Sequence, residues 1–184
     1  MRSRIVSPNF AGLSDLATIH TLSPECLSGD LPPFATLVSY TTNFAANLLV
    51  FIPLILNEPF VLSQFFWFNG TAVNGNTDVG IYTEDGLTKL ISTGSTANSG
   101  TSAIQVVNVT DTTLPVNKRL WMAIGSDSAT QRFLTYPLNA VGVLNFIGVR
   151  QQASGWSSGL PATISLDVPT ANTCPLFGFT SGVI

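Results

Sequence analysis

Charge is scarce in this chain of 184 residues. Charged residues make up 9% of it and apolar residues 45%, whereas a typical soluble protein has about 25% charged residues. Net charge and the absence of apolar surface patches are what keep proteins soluble and monomeric. A chain with so little charge has little to keep its copies apart. We therefore expect it to assemble with other copies of itself.

Basic residues and long apolar runs are also scarce. The seven Lys and Arg residues are scattered, and the net charge is −3, whereas nucleic-acid binding depends on clustered Lys and Arg contacts with phosphate. The one run considered for a membrane span, residues 44–56, contains Asn47 and Pro53. It is shorter than the roughly 20 residues that a spanning helix needs. We expect neither nucleic-acid binding nor membrane insertion.

The residues that most often carry catalysis or bind zinc are few. The chain has one histidine, His20, and two cysteines, Cys26 and Cys174. They cannot supply a closed zinc shell of His and Cys ligands, and a Ser-His-Asp arrangement would have to use His20, which lies in an irregular N-terminal stretch. The sequence therefore predicts no catalytic residue, no metal site and no cofactor. Cys26 and Cys174 either pair or are small buried side chains.

The carboxylates give no better indication of an enzyme. Asp78 and the Glu84-Asp85 pair lie at opposite ends of one short predicted strand, so they do not form the facing pair that a glycosidase needs. Oxygens of Glu84 and Asp85 are also suitable ligands for Ca²⁺. The turn at Asp85-Gly86 explains these residues without an ion, and we favour that interpretation.

The sequence pattern that dominates the chain is the one typical of β-structure. Short apolar runs are separated by Gly, Pro and Asn at intervals typical of a sandwich or barrel. The strongest signal is Glu84-Asp85-Gly86 between alternating runs, which predicts a β-hairpin because Gly supplies the positive φ of the turn. Strands are predicted over 36–41, 47–56, 59–69, 77–83, 87–93, 102–110, 118–125, 131–136, 143–150, 161–167 and 173–179. The expected fold is all-β and antiparallel.

Several predicted strands are apolar on both faces, whereas a sheet with one wet face alternates apolar and polar residues. Simple alternation over 59–69 places Val61, Phe65 and Trp67 on one face and Leu62, Phe66 and Phe68 on the other. Over 118–125 it places Leu120, Met122 and Ile124 opposite Trp121 and Ala123. The second faces must be covered by the N-terminal stretch, by loops or by another subunit. Phe66, Phe68 and Trp121 are the candidate oligomer-interface residues.

Residues 1–35 differ from the rest because they show no sustained alternation. Pro32-Pro33 ends this stretch, and consecutive prolines are stiff and extended. We predict an N-terminal arm over 1–35, which docks on the body or on a neighbouring copy, and a sandwich domain over 36–184.

One loop suggests a binding site. Trp156 is the single aromatic residue in a stretch rich in Gly and Ser, and Gln151 and Gln152 precede it. An exposed indole ring stacks on the apolar face of a sugar, and the two amides would supply hydrogen bonds. The alternative is that Trp156 anchors the loop to the core or to a neighbour, since Trp is enriched at interfaces.

Several segments together resemble a family of small tailed-bacteriophage virion proteins. The segments are Leu48-Leu49-Val50-Phe51-Ile52-Pro53, Asn57-Glu58-Pro59-Phe60-Val61, Asp78-Val79-Gly80-Ile81-Tyr82, Leu90-Ile91-Ser92-Thr93-Gly94-Ser95-Thr96, Leu120-Trp121-Met122-Ala123-Ile124, Gly148-Val149-Arg150-Gln151, Leu160-Pro161-Ala162-Thr163 and Pro175-Leu176-Phe177-Gly178-Phe179. The resemblance covers about residues 36–184, and each segment is a predicted strand or turn.

The resemblance implies a jelly-roll sandwich similar to carbohydrate-binding modules, located in the virion as a head-decoration or tail-associated protein and often trimeric. It implies no catalytic residue. The expected partners are other copies of the chain and other virion proteins. The alternative is a glycan-binding host-adsorption module of a tail or head fibre, which would bind a glycan of the host surface with Trp156 as its platform.

Overall fold

A computed structural model of the chain describes residues 44–135, 148–153, 155–170 and 174–181. Its regular secondary structure is β1 (Leu49–Ile55), β2 (Phe60–Phe68), β3 (Asn76–Tyr82), β4 (Lys89–Ser92), β5 (Thr96–Ala97), β6 (Ile104–Leu114), β7 (Arg119–Ser126), β8 (Arg150–Gln152) and β9 (Phe177–Thr180). Within these ranges there is no helix with the length and apolar character needed to cross a membrane. The predicted arm over 1–35 and the strand predicted over 36–41 lie outside the described residues.

The strands form two sheets. The larger sheet has the order β4-β3-β7-β1-β8, with β5 also paired to β3, and the smaller sheet has the order β6-β2-β9. Every pairing between these strands is antiparallel. The prediction of an all-β antiparallel fold is confirmed.

The main core joins one face of each sheet. Val79 and Ile81 of β3 belong to it, as their alternation predicts, together with Leu62, Phe65 and Trp67 of the smaller sheet. Burial of such apolar side chains is worth roughly 1.5–3 kcal/mol each. The core therefore holds the two sheets in a sandwich-like arrangement.

The hairpin predicted at Asp85-Gly86 joins β3 to β4. Gly86 has a φ of 71°, and its N–H donates to the Thr83 carbonyl over 3.0 Å. The Thr83 N–H donates to the Thr88 carbonyl over 3.0 Å and closes the turn. The local signal was sufficient here because the turn chemistry lies within consecutive residues.

The alternation predicted for β2 is wrong at one point. Its register with β6 shifts between Leu62 and Gln64, and an irregularity of this kind changes which residues face the core. Leu62 consequently shares the core face with Phe65 and Trp67. Val61 lies on the opposite, outer face with Phe66 and Phe68, which reverses the predicted positions of Val61 and Leu62.

Two other strand predictions are wrong in the described residues. The stretch 161–167 forms no strand, and its one ladder contact is the isolated bridge of Asp167 with Gln151. Two other backbone groups of this stretch have separate partners: the Ile164 N–H donates to the Gly86 carbonyl over 3.0 Å, and the Ser165 N–H donates to Gln152 Oε1 over 2.9 Å. Of 131–136, residues 131–135 are described and contribute isolated bridges at Phe133 and Thr135.

Candidate functional site

The outer face of the larger sheet is apolar and is covered by the chain itself. The covering residues belong to 155–167, which we call the cover segment. A second hydrophobic cluster forms between the sheet and this segment, with Leu49, Phe51, Tyr82, Trp121 and Ala123 on the strands and Trp156, Leu160 and Ile164 on the cover segment. A loop is therefore what covers the second face of this sheet, which is one of the three possibilities that the sequence left open.

Trp156 lies at the start of the cover segment and is only 9% exposed. Its ring packs over Gly125 of β7, where a Cβ atom would come within 3.1 Å of Trp156 Cε3 and 2.3 Å of Leu49 Cδ2. The close approach of the indole to the sheet thus depends on the missing side chain at Gly125. This arrangement is the loop-anchoring alternative for Trp156.

Hydrogen bonds fasten the middle of the cover segment to the hairpin strands. The Leu160 N–H donates to Asp78 Oδ2 over 2.8 Å, and Lys89 Nζ donates to the Leu160 carbonyl over 2.6 Å. The Tyr82 hydroxyl donates to the Pro161 carbonyl over 2.5 Å. These bonds satisfy the backbone of a segment that has no neighbouring strand in this stretch, as burial requires.

Asp78 is the main electrostatic feature beneath the cover segment. It is 1% exposed, and this desolvation raises its pKa above 3.8, against the smaller lowering effects of the Leu160 N–H, the Thr93 hydroxyl, the Lys89 charge and the Ser92 hydroxyl. The pKa of Tyr82 is also raised, by its own burial and by the nearby Asp78 charge. The carboxylate is enclosed by hydrogen bonds from β4, from the residues that follow it and from the cover segment, which gives it a structural role.

The two glutamines proposed to bind a glycan are used within the chain. Gln151 is buried, and its Oε1 accepts from the Thr170 N–H over 2.9 Å. Gln152 Oε1 accepts from the Ser165 N–H. Both side chains therefore hold the turns around the cover segment. Glycan binding by Trp156, Gln151 and Gln152 is not tested by these contacts and stays a prediction.

The outer face of the smaller sheet differs from that of the larger one. The strand register places Val61, Gln64, Phe66 and Phe68 of β2, Ile104, Val106 and Asn108 of β6, and Gly178 and Thr180 of β9 on this face. None of these residues is charged. Val61 is 45% exposed and Val106 is 38% exposed. Val61 and Val106 are therefore accessible apolar side chains on this face, whereas Gln64, Phe66 and Thr180 are buried on it.

The three candidate interface residues lie in different surroundings. Phe66 is only 2% exposed, with its ring against Gly178 and edge-on to Phe68 at a centroid distance of 6.2 Å. Phe68 is half-buried on the same face. Trp121 is 5% exposed beneath the cover segment, and its Nε1 donates to the Glu84 carbonyl over 2.8 Å. The structure thus brings Phe66 and Phe68 together and places Trp121 on the other sheet.

The described residues bring no catalytic set together. They contain no cluster of three or more His, Cys, Asp or Glu side chains that could hold a metal ion. Asp85 Oδ1 accepts from the Thr83 hydroxyl over 2.6 Å and from the Leu87 N–H over 2.9 Å, and these bonds lower its pKa. Cys174 is buried, whereas Cys26 and His20 lie outside the described residues, so the pairing of the cysteines stays open.

An open groove separates the edges of the two sheets on one side of the sandwich. Its volume is about 510 Å³, and it is lined by Ile91, Ser92, Thr93, Asn108, Val109 and Thr110. The lining combines hydroxyls, one amide and apolar side chains and contains no acid or base. It is suited to packing or hydrogen bonding with an uncharged chain.

Comparison with known proteins adds no further indication of function. No protein-family model, no curated protein and no solved structure matches the chain.

Sequence reasoning missed two features of this molecule, the cover segment and the role of Asp78. Apolar residues on both faces of 118–125 indicated that something covers the second face. The sequence pattern nevertheless predicts a strand over 161–167. The sequence signal for a cover was limited to the apolar residues Trp156, Leu160 and Ile164, which the structure places against one face of the sheet.

Proposed function

We propose that this chain is a non-enzymatic structural protein of a tailed-phage particle, with a jelly-roll topology and an N-terminal arm over residues 1–35. In this proposal it acts as a capsid-decoration or tail-associated protein and assembles as a homo-oligomer, with a trimer as the expected form. The proposal combines the resemblance of the strand and turn segments with the character of one surface.

The observation that carries the proposal is the outer face of the smaller sheet, where the residues placed by the pairing of β2 with β6 and β9 carry no charge. The centres of protein–protein interfaces are depleted in charged residues, and exposed apolar patches of soluble proteins commonly mark interaction sites. Val61 and Val106 supply exposed apolar area on this face, and Phe68 adds half-buried aromatic area. Its burial between copies would remove apolar surface from water at about 25 cal/mol per Å² without desolvating a charge.

The larger sheet supports the same proposal because its outer face is not accessible to another copy. Its outer face is already covered by the chain's own Trp156, Leu160 and Ile164. Contacts with other copies are therefore assigned to the smaller sheet and to the arm rather than to Trp121. The interface residues proposed here are Val61, Phe68 and Val106, with Phe66 packed behind them.

Quantitative mass spectrometry of gradient-purified particles tests the location. A copy number comparable to that of the major capsid protein would place the chain in the head as a decoration protein. A few copies per particle would place it on the tail. Absence of the chain from particles would refute the virion proposal.

The assembly surface is tested by Val61→Lys in the recombinant full-length chain. Burying an unpaired ammonium in an interface costs several kcal/mol, so we expect self-association to weaken at least about tenfold in light scattering and sedimentation. Leu87→Lys is the matched control, because Leu87 is an exposed apolar residue on the β3–β4 hairpin of the other sheet. Equal effects of the two substitutions would contradict the proposed surface. Turnover of a glycan or ester by the purified chain would contradict its non-enzymatic nature.

A further inference from the structure

Besides its outer face, the smaller sheet has a second unusual feature, which is an edge of β6 that pairs with no described strand. β6 is 11 residues long, the longest strand in the described part of the chain, and lies at the end of the order β6-β2-β9. On one side it pairs with β2. On the other side no strand of the described ranges pairs with it. Within the described part of the chain, alternate N–H and C=O groups on that side therefore have no strand partner, and such groups can pair with an added strand.

This edge lacks most of the devices that protect edge strands. Natural edges are commonly blocked by Lys, Pro, inward-pointing charges or bulges. The sequence of β6 is IQVVNVTDTTL, with Asp111 as its one charged residue. The irregularity in its pairing falls between Asn108 and Thr112. The half of β6 from 104 to 108 is consequently regular, uncharged and rich in β-branched residues.

Side chains along the regular half leave surface unburied at this edge. Val107 packs against the main core but is only half-buried, and Val106 is 38% exposed on the outer face. Beyond Asn108 the strand is faced by β4 across the open groove. A strand added beside 104–108 would pair the free backbone groups and would also cover Val106 and Val107.

We propose that this edge pairs with the same edge of a second copy, in an antiparallel arrangement with Val106 on the two-fold axis. Val106 then lies opposite Val106, Ile104 lies opposite Asn108, and Gln105 lies opposite Val107. Paired residues share a face in an antiparallel ladder. The first two pairs fall on the outer face and the third on the core face, as they do in the single chain.

The composition of this edge suits a second copy of the chain as its occupant. The five residues from 104 to 108 are uncharged, so a basic or acidic peptide would gain no electrostatic complementarity from them. The required partner is an uncharged strand with β-branched side chains, and β6 is itself such a strand. The register about Val106 leaves Asp111 outside the paired stretch, whereas a register centred on Asp111 would oppose two like charges, which is destabilising.

This contact specifies one interface of the proposed assembly. It rests on the proposed function only in that copies of the chain must associate. Pairing of the two edges joins two smaller sheets into one six-stranded sheet with a continuous outer face. Because the contact is isologous, it gives dimers, or it joins neighbouring trimers if the trimer is the basic unit. It does not depend on the location of the chain in a phage particle.

The test is a charge swap at Val106 in the full-length chain. Val106→Lys and Val106→Asp each place like charges directly opposite on the two-fold axis, so each variant alone should associate about tenfold more weakly than the parent chain. An equimolar mixture should recover association, with native mass spectrometry showing the complex that contains one copy of each. The same swap at Leu87 is the control and should change neither property.

Three outcomes would overturn the inference. The first is a parent chain that stays monomeric across the micromolar range or that forms trimers with no two-fold association. The second is association that either Val106 variant leaves unchanged, and the third is a mixture that shows no preference for the mixed complex. Weakening by Val61→Lys without charge rescue at Val106 would leave the proposed face in place and refute edge pairing.

Discussion

The two sheets have similar apolar strands, yet only the larger one has its outer face covered by another segment of the described chain. The larger sheet buries its outer face under residues 155–167, and the exposed fraction of Trp121 falls to 5%. The smaller sheet leaves Val61 and Val106 accessible. The comparison teaches that an apolar second face does not by itself identify an oligomer interface, because a segment distant in sequence can cover it.

The cover is built from three kinds of contact between the larger sheet and residues 155–167. Trp156 provides a large apolar side chain, Gly125 provides room for it, and Asp78 accepts the Leu160 N–H. Removing any one of them should make the larger sheet behave more like the smaller one. The predictions below follow this order, from the largest expected loss of stability to the smallest.

Trp156→Ala should have the largest effect. The substitution removes the indole from the second hydrophobic cluster, and we expect the free energy of unfolding to fall by about 3–5 kcal/mol in urea denaturation. Trp156→Phe should retain part of this stability. Unchanged stability, together with lost binding to host polysaccharide, would contradict the anchoring role and favour the glycan-binding prediction.

Gly125→Ala should disturb the same contact from the side of the sheet. A new Cβ would overlap Leu49 and press on Trp156, and overpacking of this kind costs about 1–3 kcal/mol. Combining it with Trp156→Ala should give a smaller total loss than the sum, because residues in contact couple. Strict additivity in this double-mutant cycle would show that the two positions do not interact.

Asp78→Asn should change how stability depends on pH. Burial raises the pKa of the folded-state carboxyl above 3.8, so the folded state binds this proton more tightly than the unfolded chain does. The contribution of Asp78 is then fully present below about pH 3.8 and is lost as the pH rises through the folded-state pKa. We expect the parent chain to gain stability relative to Asp78→Asn as the pH falls through this window.

A series of urea denaturations of both proteins between neutral and acidic pH measures that difference. Asp85→Asn is the control of opposite sign, because Asp85 lies in the exposed hairpin turn and its pKa is lowered. A parent chain that loses stability relative to Asp78→Asn on acidification would contradict the direction of the Asp78 shift.

Val61→Ala should have the smallest effect on folding. Val61 is exposed on the outer face of the smaller sheet, and substitutions at such surface positions usually change stability by less than about 0.5 kcal/mol. Self-association in sedimentation should nevertheless weaken if this face joins copies. A loss of several kcal/mol in dilute monomer would show that Val61 is covered within a single chain and would remove the contrast between the two faces.

Local patterns were a sufficient guide where consecutive residues carry the physical cause. The hairpin at Asp85-Gly86 and the two faces of β7 follow from turn chemistry and from the period of two in a strand. The predicted face of a residue is reliable in the interior of a strand, because alternation has few exceptions there. The β2 pattern failed between Leu62 and Gln64, since an irregularity arises from pairing with β6 and is not visible in one strand alone.

The candidate site was less predictable than the fold. The sequence identifies Trp156 as the single aromatic residue of its loop and is compatible both with sugar stacking and with anchoring of the loop. Its burial depends on Gly125, which is 31 positions away in the sequence. Likewise, the role of Asp78 depends on the Leu160 N–H, which a reading of the hairpin alone does not include.

By itself, the sequence determined that this protein is all-β and that several strands are apolar on both faces. Both properties follow from the local period and composition of its strands. Only the tertiary structure decided that the cover segment buries the outer face of the larger sheet and leaves Val61 and Val106 accessible on the smaller one. The physical reason is that periodicity specifies which side chains need burial, whereas the segment that buries them is selected by long-range packing and by hydrogen-bond partners such as Asp78.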